Sequence, residues 1–112
     1  MPAPDFAPIV VLMTAGNREE ADLIADLLVE KRLAACVQIL PEIRSVYFWK
    51  NEIQRESELL VLAKSTKERF PELEREVRAI HSYEAPEIIA LEITDGSRPY
   101  LNWLNDNVEA AT

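Results

Sequence analysis

Apolar positions along this chain switch between the strand period and the helix period, and the switches fall at turn residues. Residues 9–14 form a β-branched apolar run of strand length that stops at Ala15-Gly16-Asn17. Asn17 and Glu20 have the spacing of a capping box, and Ala21, Ile24, Leu27 and Leu28 recur at helical intervals, which predicts a helix to about Leu33. Residues 35–40 alternate, with Val37 and Ile39 on one face and Cys36, Gln38 and Leu40 on the other, until Pro41 interrupts the strand. Strand character resumes over 43–50, Lys50-Asn51-Glu52 reads as a turn, and 58–64 is the next strand. Ser65 and Glu68 have capping-box spacing again, Pro71 is tolerated in an opening helical turn, and Phe70, Leu73, Val77 and Ile80 make one stripe ending at His81. Residues 87–94 alternate, grouping Ile89, Leu91 and Ile93. Asp95-Gly96-Ser97 then turns into a terminal helix carrying Tyr100, Leu101, Leu104 and Val108.

This order, βαββαβ plus a C-terminal helix, predicts an α+β, ferredoxin-like fold with an antiparallel sheet. Two helices cover one sheet face, so the other face needs water or another partner. The hairpin sharpens that requirement. Val46 and Phe48 alternate with Tyr47 and Trp49, making both sides of the arm apolar, and a marginal hairpin in a small domain cannot bury both. Another copy of the chain is the expected cover.

The 112 residues suffice for one domain, expected over 9–112 behind a flexible N-terminal segment, 1–8. Twenty acidic against twelve interspersed basic residues leave a net charge of −8, which argues against nucleic acid as a partner. The first apolar run is too short for a signal peptide or a membrane span, so a cytoplasmic protein with no membrane partner is expected. One cysteine closes no intrachain disulfide and leaves Cys36 as a thiol, in keeping with a reducing compartment.

The candidate chemistry centres on that thiol and the single imidazole, His81, with Glu84 and Glu87 just behind it. Thiolate, imidazole and carboxylate suit a transition metal, copper above zinc. A lone cysteine is also a small packing residue and a lone histidine often a cap. A closed zinc site would need more cysteines or histidines than one chain supplies. Catalysis has little support, because neither an orienting group for a Cys–His pair nor an oxyanion hole can be named. Two glycines rule out a glycine-rich phosphate cradle. Lys50 and Lys64 flank the arm and suit an anion or simply a soluble sheet margin, and Tyr83 can donate to a ligand or act as a packing lid.

Taken together, the segments Leu33-Ala34-Ala35-Cys36-Val37-Gln38, Val46-Tyr47-Phe48-Trp49-Lys50-Asn51-Glu52-Ile53, Leu62-Ala63-Lys64-Ser65-Thr66, His81-Ser82-Tyr83-Glu84-Ala85-Pro86-Glu87-Ile88 and Pro99-Tyr100-Leu101-Asn102-Trp103-Leu104 resemble the CutA family of divalent-cation tolerance proteins. The resemblance runs from about Ile9 to Val108. It implies a cytoplasmic homotrimer, not an enzyme, associated with tolerance of copper and other divalent cations. It also implies that Cys36, His81 and Glu84 contact metal, and that Trp49, Lys50, Tyr83 and Glu87 surround a cleft between subunits. Ser82 stands where the family usually has Pro, Gln38 where it has Asn, and Asn51 where it has Gly. PII-type signalling proteins share the trimeric architecture and bind small effectors between subunits, so two alternatives stand beside metal binding. One is a sensor for a small anionic effector, using Lys50, Lys64 and Tyr83; the other is a structural scaffold trimer.

Overall fold

The computed structural model describes residues 6–110, and its elements follow the predicted order: β1 (Pro8–Ala15), α1 (Arg18–Glu30), β2 (Cys36–Trp49), β3 (Glu52–Thr66), α2 (Phe70–Ile80), β4 (Ile88–Glu92) and α3 (Arg98–Asn107). Residues 1–5 of the expected N-terminal segment lie outside the described residues; Pro8 already pairs with Thr66. The sheet has the strand order β2-β3-β1-β4, antiparallel throughout. That order is the one the split β-α-β pattern requires.

Helices α1 and α2 pack on one face through Ala21, Ile24, Leu28, Leu73 and Val77. They meet Val11, Met13, Val61 and Ala63 of the sheet, all fully buried. Full burial of an aliphatic side chain of this size contributes about 1.5–3 kcal/mol, so these contacts dominate the stability of the fold. Asn17 caps α1 as its spacing predicts, its side-chain oxygen accepting the Glu20 N–H at 2.8 Å. The second expected cap is not formed. Strand β3 runs through Ser65 to Thr66, a single 3-10 turn (Lys67–Arg69) precedes α2, and the Ser65 hydroxyl donates instead to the buried Leu33 carbonyl at 2.5 Å. Tertiary burial of Ser65 outcompetes the local cap.

The arm is longer than the apolar pattern indicated. Strand β2 continues past Pro41 because the ladder skips a bulge at Pro41 and Glu42, where Glu42 takes φ 38°, and pairing resumes at Ile43. Strand β3 opens at Glu52 rather than Glu58, since the polar stretch 54–57 pairs with β2 without adding apolar alternation. Lys50 and Asn51, at φ 50° and 66°, close the hairpin as a two-residue turn with both central residues left-handed. The projecting arm stretches the chain to 48 Å against 25 and 23 Å in the other directions. Its tip leaves Val46, Phe48 and Ile53 at least 60% exposed.

By the register, the sheet face opposite α1 and α2 carries rows Leu91-Val10-Lys64-Cys36 and Ile89-Leu12-Leu62-Gln38. Helix α3 meets this face, with Leu104 fully buried and Tyr100 against Cys36. Ile89 and Leu91 remain about half exposed. Among the described residues, the Ile89 and Leu91 side of this face and the tip of the arm are therefore left uncovered.

Candidate functional site

The candidate residues fall at two ends of the sheet. At one end, Cys36 pairs with Lys64 across the β2–β3 ladder, and the Lys64 ammonium donates to Gln38 Oε1 at 2.5 Å. Burial, then the neighbouring Cys36 sulfur, pushes the Tyr100 phenol above its ordinary pKa. The row of Cys36 crosses β1 at Val10, whereas the His81 ring reaches β1 at Thr14. Four residues of strand place these points about 13 Å apart along β1. Within one chain the thiol and the imidazole do not meet.

His81 follows α2 as its C-cap and turns a fully buried side chain back over β1. Its Nε2 lies 2.7 Å from the Thr14 carbonyl, and its Nδ1 lies 3.1 Å from the Tyr83 backbone N. A carbonyl only accepts and a backbone N–H only donates, so the two contacts fit the tautomer that carries its hydrogen on Nε2. Both nitrogens are thereby engaged, and no lone pair faces outward. The Glu20 carboxylate, 3.8 Å from Nδ1, accepts the N–H groups of Gly16 at 3.1 Å and Ser82 at 2.8 Å. Burial by itself would raise the Glu20 carboxyl; the two backbone N–H groups outweigh it and hold the pKa below its ordinary value. Ser82 thus ties its own backbone to α1, and a proline there would have no N–H to offer Glu20.

Beyond His81 the chain lies along the arm. Tyr83 donates its hydroxyl to Glu58 Oε2 at 2.7 Å, and burial together with that carboxylate pushes its phenol pKa far upward. The Tyr83 ring lies against Gly16, where a Cβ would sit 3.2 Å from the hydroxyl oxygen. Between this loop and the arm face carrying Ser45, Tyr47 and Trp49 opens a cleft of about 620 Å³. Glu56, Glu58, Glu84 and Glu87 line it, along with Tyr83, Thr14, Val46 and Ala85. The four carboxylates share the cleft with no lysine or arginine. Tyr47 donates to Glu56, so two of the carboxylates are oriented by phenols. At the mouth, the exposed Lys50 ammonium stands 4.0 Å from Glu84 and 5.9 Å above the Trp49 ring.

Of the residues singled out from the sequence, Trp49, Tyr83, Glu84 and Glu87 come together here, with Lys50 at the edge. Cys36 and Lys64 stand apart at the other end. Among the described residues no three His, Cys, Asp or Glu side chains are close enough together to hold a metal ion, so a soft-donor site does not assemble within one chain. Sequence reasoning missed Glu56 and Glu58. Their signal was present in the parity of β3, which sets them on the same face as Ser45 and Tyr47, but it became readable only once β3 was known to begin at Glu52.

The family model described as CutA1 divalent ion tolerance protein matches residues 9–107. The chain belongs to that family. The divalent-cation tolerance protein CutA of Thermus thermophilus is 50% identical over 98 residues, covering 88% of this chain and 95% of its own. Protein CutA of mouse is 42% identical over 100 residues, covering 89% of this chain, which spans 56% of the mouse protein's length. Among solved structures, CutA1 of Oryza sativa superposes with a TM-score of 0.93 at 36% identity, covering 97% of this chain and 100% of its own. The α+β architecture with its four-stranded antiparallel sheet is thus a CutA1 architecture.

Proposed function

We propose that this protein is a cytoplasmic homotrimer that binds divalent cations without catalysing a reaction, and that it supports divalent-cation tolerance by doing so. The observation that carries this is the cleft, which Glu56, Glu58, Glu84 and Glu87 line without a basic residue; since no three of them converge on one point within a single chain, a further donor would come from another copy or from water. Oxygen donors of this kind attract cations and repel small anions. A homotrimer is supported by the exposed apolar arm and sheet face, whose burial against other copies would remove the largest unfavourable surface of the chain. Copper, the ion first expected, fits a second arrangement in which Cys36 of one copy approaches the His81 and Glu84 loop of another. That arrangement requires His81 to give up one of its two hydrogen bonds. A small anionic effector has less support, because Lys64 lies far from Tyr83 and Lys50 already faces Glu84.

Native mass spectrometry of metal-free protein with limiting Cu(II) or Mn(II) tests this, alongside Glu58→Gln and Cys36→Ser. Three ions per trimer, lost in Glu58→Gln, are the expected result. Loss only in Cys36→Ser would move the site to the thiol, and a monomer or an absence of bound metal would overturn the proposal.

A further inference from the structure

Residues 93–97 connect β4 to α3 outside regular structure, and Asp95, Gly96 and Ser97 are all exposed. The link is held at both ends. The Ile93 N–H donates to the Pro8 carbonyl at 3.0 Å, and the Leu101 N–H donates to the Ser97 carbonyl at 2.9 Å. Between these anchors the Asp95 carboxylate folds over the next peptide unit, its Oδ1 accepting the Gly96 N–H at 2.9 Å. The carboxyl carbon, one bond beyond that oxygen, is thereby kept close to the Gly96 nitrogen. With glycine at 96 no Cβ crowds that nitrogen, and the backbone on its far side turns freely.

The other aspartates of the described residues lack this arrangement. Asp22 and Asp26 lie within α1 and Asp106 within α3, where the helical ladder fixes the backbone, and Leu23, Leu27 and Asn107 follow them with side chains of their own.

We propose that Asp95 is a site of spontaneous covalent modification, at which the chain isomerises to isoaspartate. The Gly96 nitrogen attacks Asp95 Cγ: an N–Cγ bond forms, a Cγ–O bond breaks, and the amide hydrogen leaves with the carboxyl hydroxyl as one water. Water then adds to the cyclic imide. Opening at the Cγ carbonyl restores aspartate, whereas opening at the backbone carbonyl routes the chain through Cβ and Cγ and leaves the former backbone carbonyl as a free carboxylate. No oxidant, metal or second substrate enters. The product adds one backbone carbon to a link anchored at both ends. Gly96 already packs against Leu101, where even a Cβ would stand 3.3 Å from its side chain, so the product displaces Leu101 at the start of α3.

Ageing the intact protein in warm neutral buffer, beside the same chain aged in guanidinium chloride, tests it. Peptide mass spectrometry places the isoaspartate, and methyl transfer by an isoaspartyl carboxyl methyltransferase measures its amount. Isoaspartate at 95 is expected as the main product, forming in the native protein within about tenfold of the unfolded rate, because an exposed loop keeps much of the unfolded chain's freedom. Gly96→Ala should slow it about tenfold by restricting the backbone. Asp95→Asn, which loses ammonia in place of water and leaves Leu101 untouched, should accelerate it, and Asp95→Glu, which would need a larger ring, should remove it. A native rate more than about tenfold below the unfolded one, isoaspartate mainly at another residue, or a signal that persists in Asp95→Glu overturns the proposal.

Discussion

Replacing Tyr83 by Phe removes one oxygen and very little volume, and it strips the buried Glu58 carboxylate of its one hydrogen bond to a side chain among the described residues. A hydrogen bond to a charged group contributes about 1.5–3 kcal/mol, and the larger cost falls on the acceptor left unsatisfied. Because Tyr83 itself is only half-buried, water reaches part of the site, so a loss of about 2 kcal/mol is expected. Urea unfolding at fixed protein concentration, which keeps any subunit equilibrium constant, reads it directly. The same contact carries a pH signature. The native phenol titrates well above the ordinary tyrosine value of about 10, so the unfolded chain releases this proton first. The contribution is therefore complete below pH 10 and is lost as the pH rises beyond it. The variant should be less stable at pH 7 and should show a shallower decline above pH 10. If Tyr83→Phe unfolds within 0.3 kcal/mol of the parent, roughly the scatter of such measurements, the Tyr83–Glu58 contact does not hold the loop to the arm.

Glu20→Gln should cost about 1–2 kcal/mol at neutral pH; since the Glu20 carboxyl is held low, that stability is present above the ordinary carboxylate range and disappears as the pH falls through it, so parent and variant should converge in acid unfolding curves below about pH 4. Gly16→Ala brings a methyl to 3.2 Å from the Tyr83 hydroxyl, so Tyr83 must shift and the variant should lose about 1 kcal/mol in urea unfolding. Asn51→Gly should stabilise the hairpin by about 0.5 kcal/mol, because Asn51 sits at φ 66° where glycine carries no steric penalty; a lower denaturation midpoint would contradict that.

The order of strands and helices, the cap at Asn17, the hairpin turn at Lys50-Asn51 and the two-sided arm were all legible in the sequence, because each depends on residues close together in the chain and on side-chain periodicity. Ser65 was misread for the opposite reason. Its spacing to Glu68 is local, but its partner is the Leu33 carbonyl, 32 residues away. The lead formed by Cys36 and His81 shows the same limit. Residue type marked both as candidate ligands, yet only the register separates them, and only the fold commits both imidazole nitrogens to the Thr14 carbonyl and the Tyr83 N–H. Composition announced an acidic chain with no means of saying where its charge gathers. Strand pairing from Glu52 onward and the return of the loop after His81 place Glu56 and Glu58 opposite Glu84 and Glu87. Local periodicity was enough to determine the elements, whereas the cleft is made by contacts distant in sequence, whose geometry exists only after the sheet has closed.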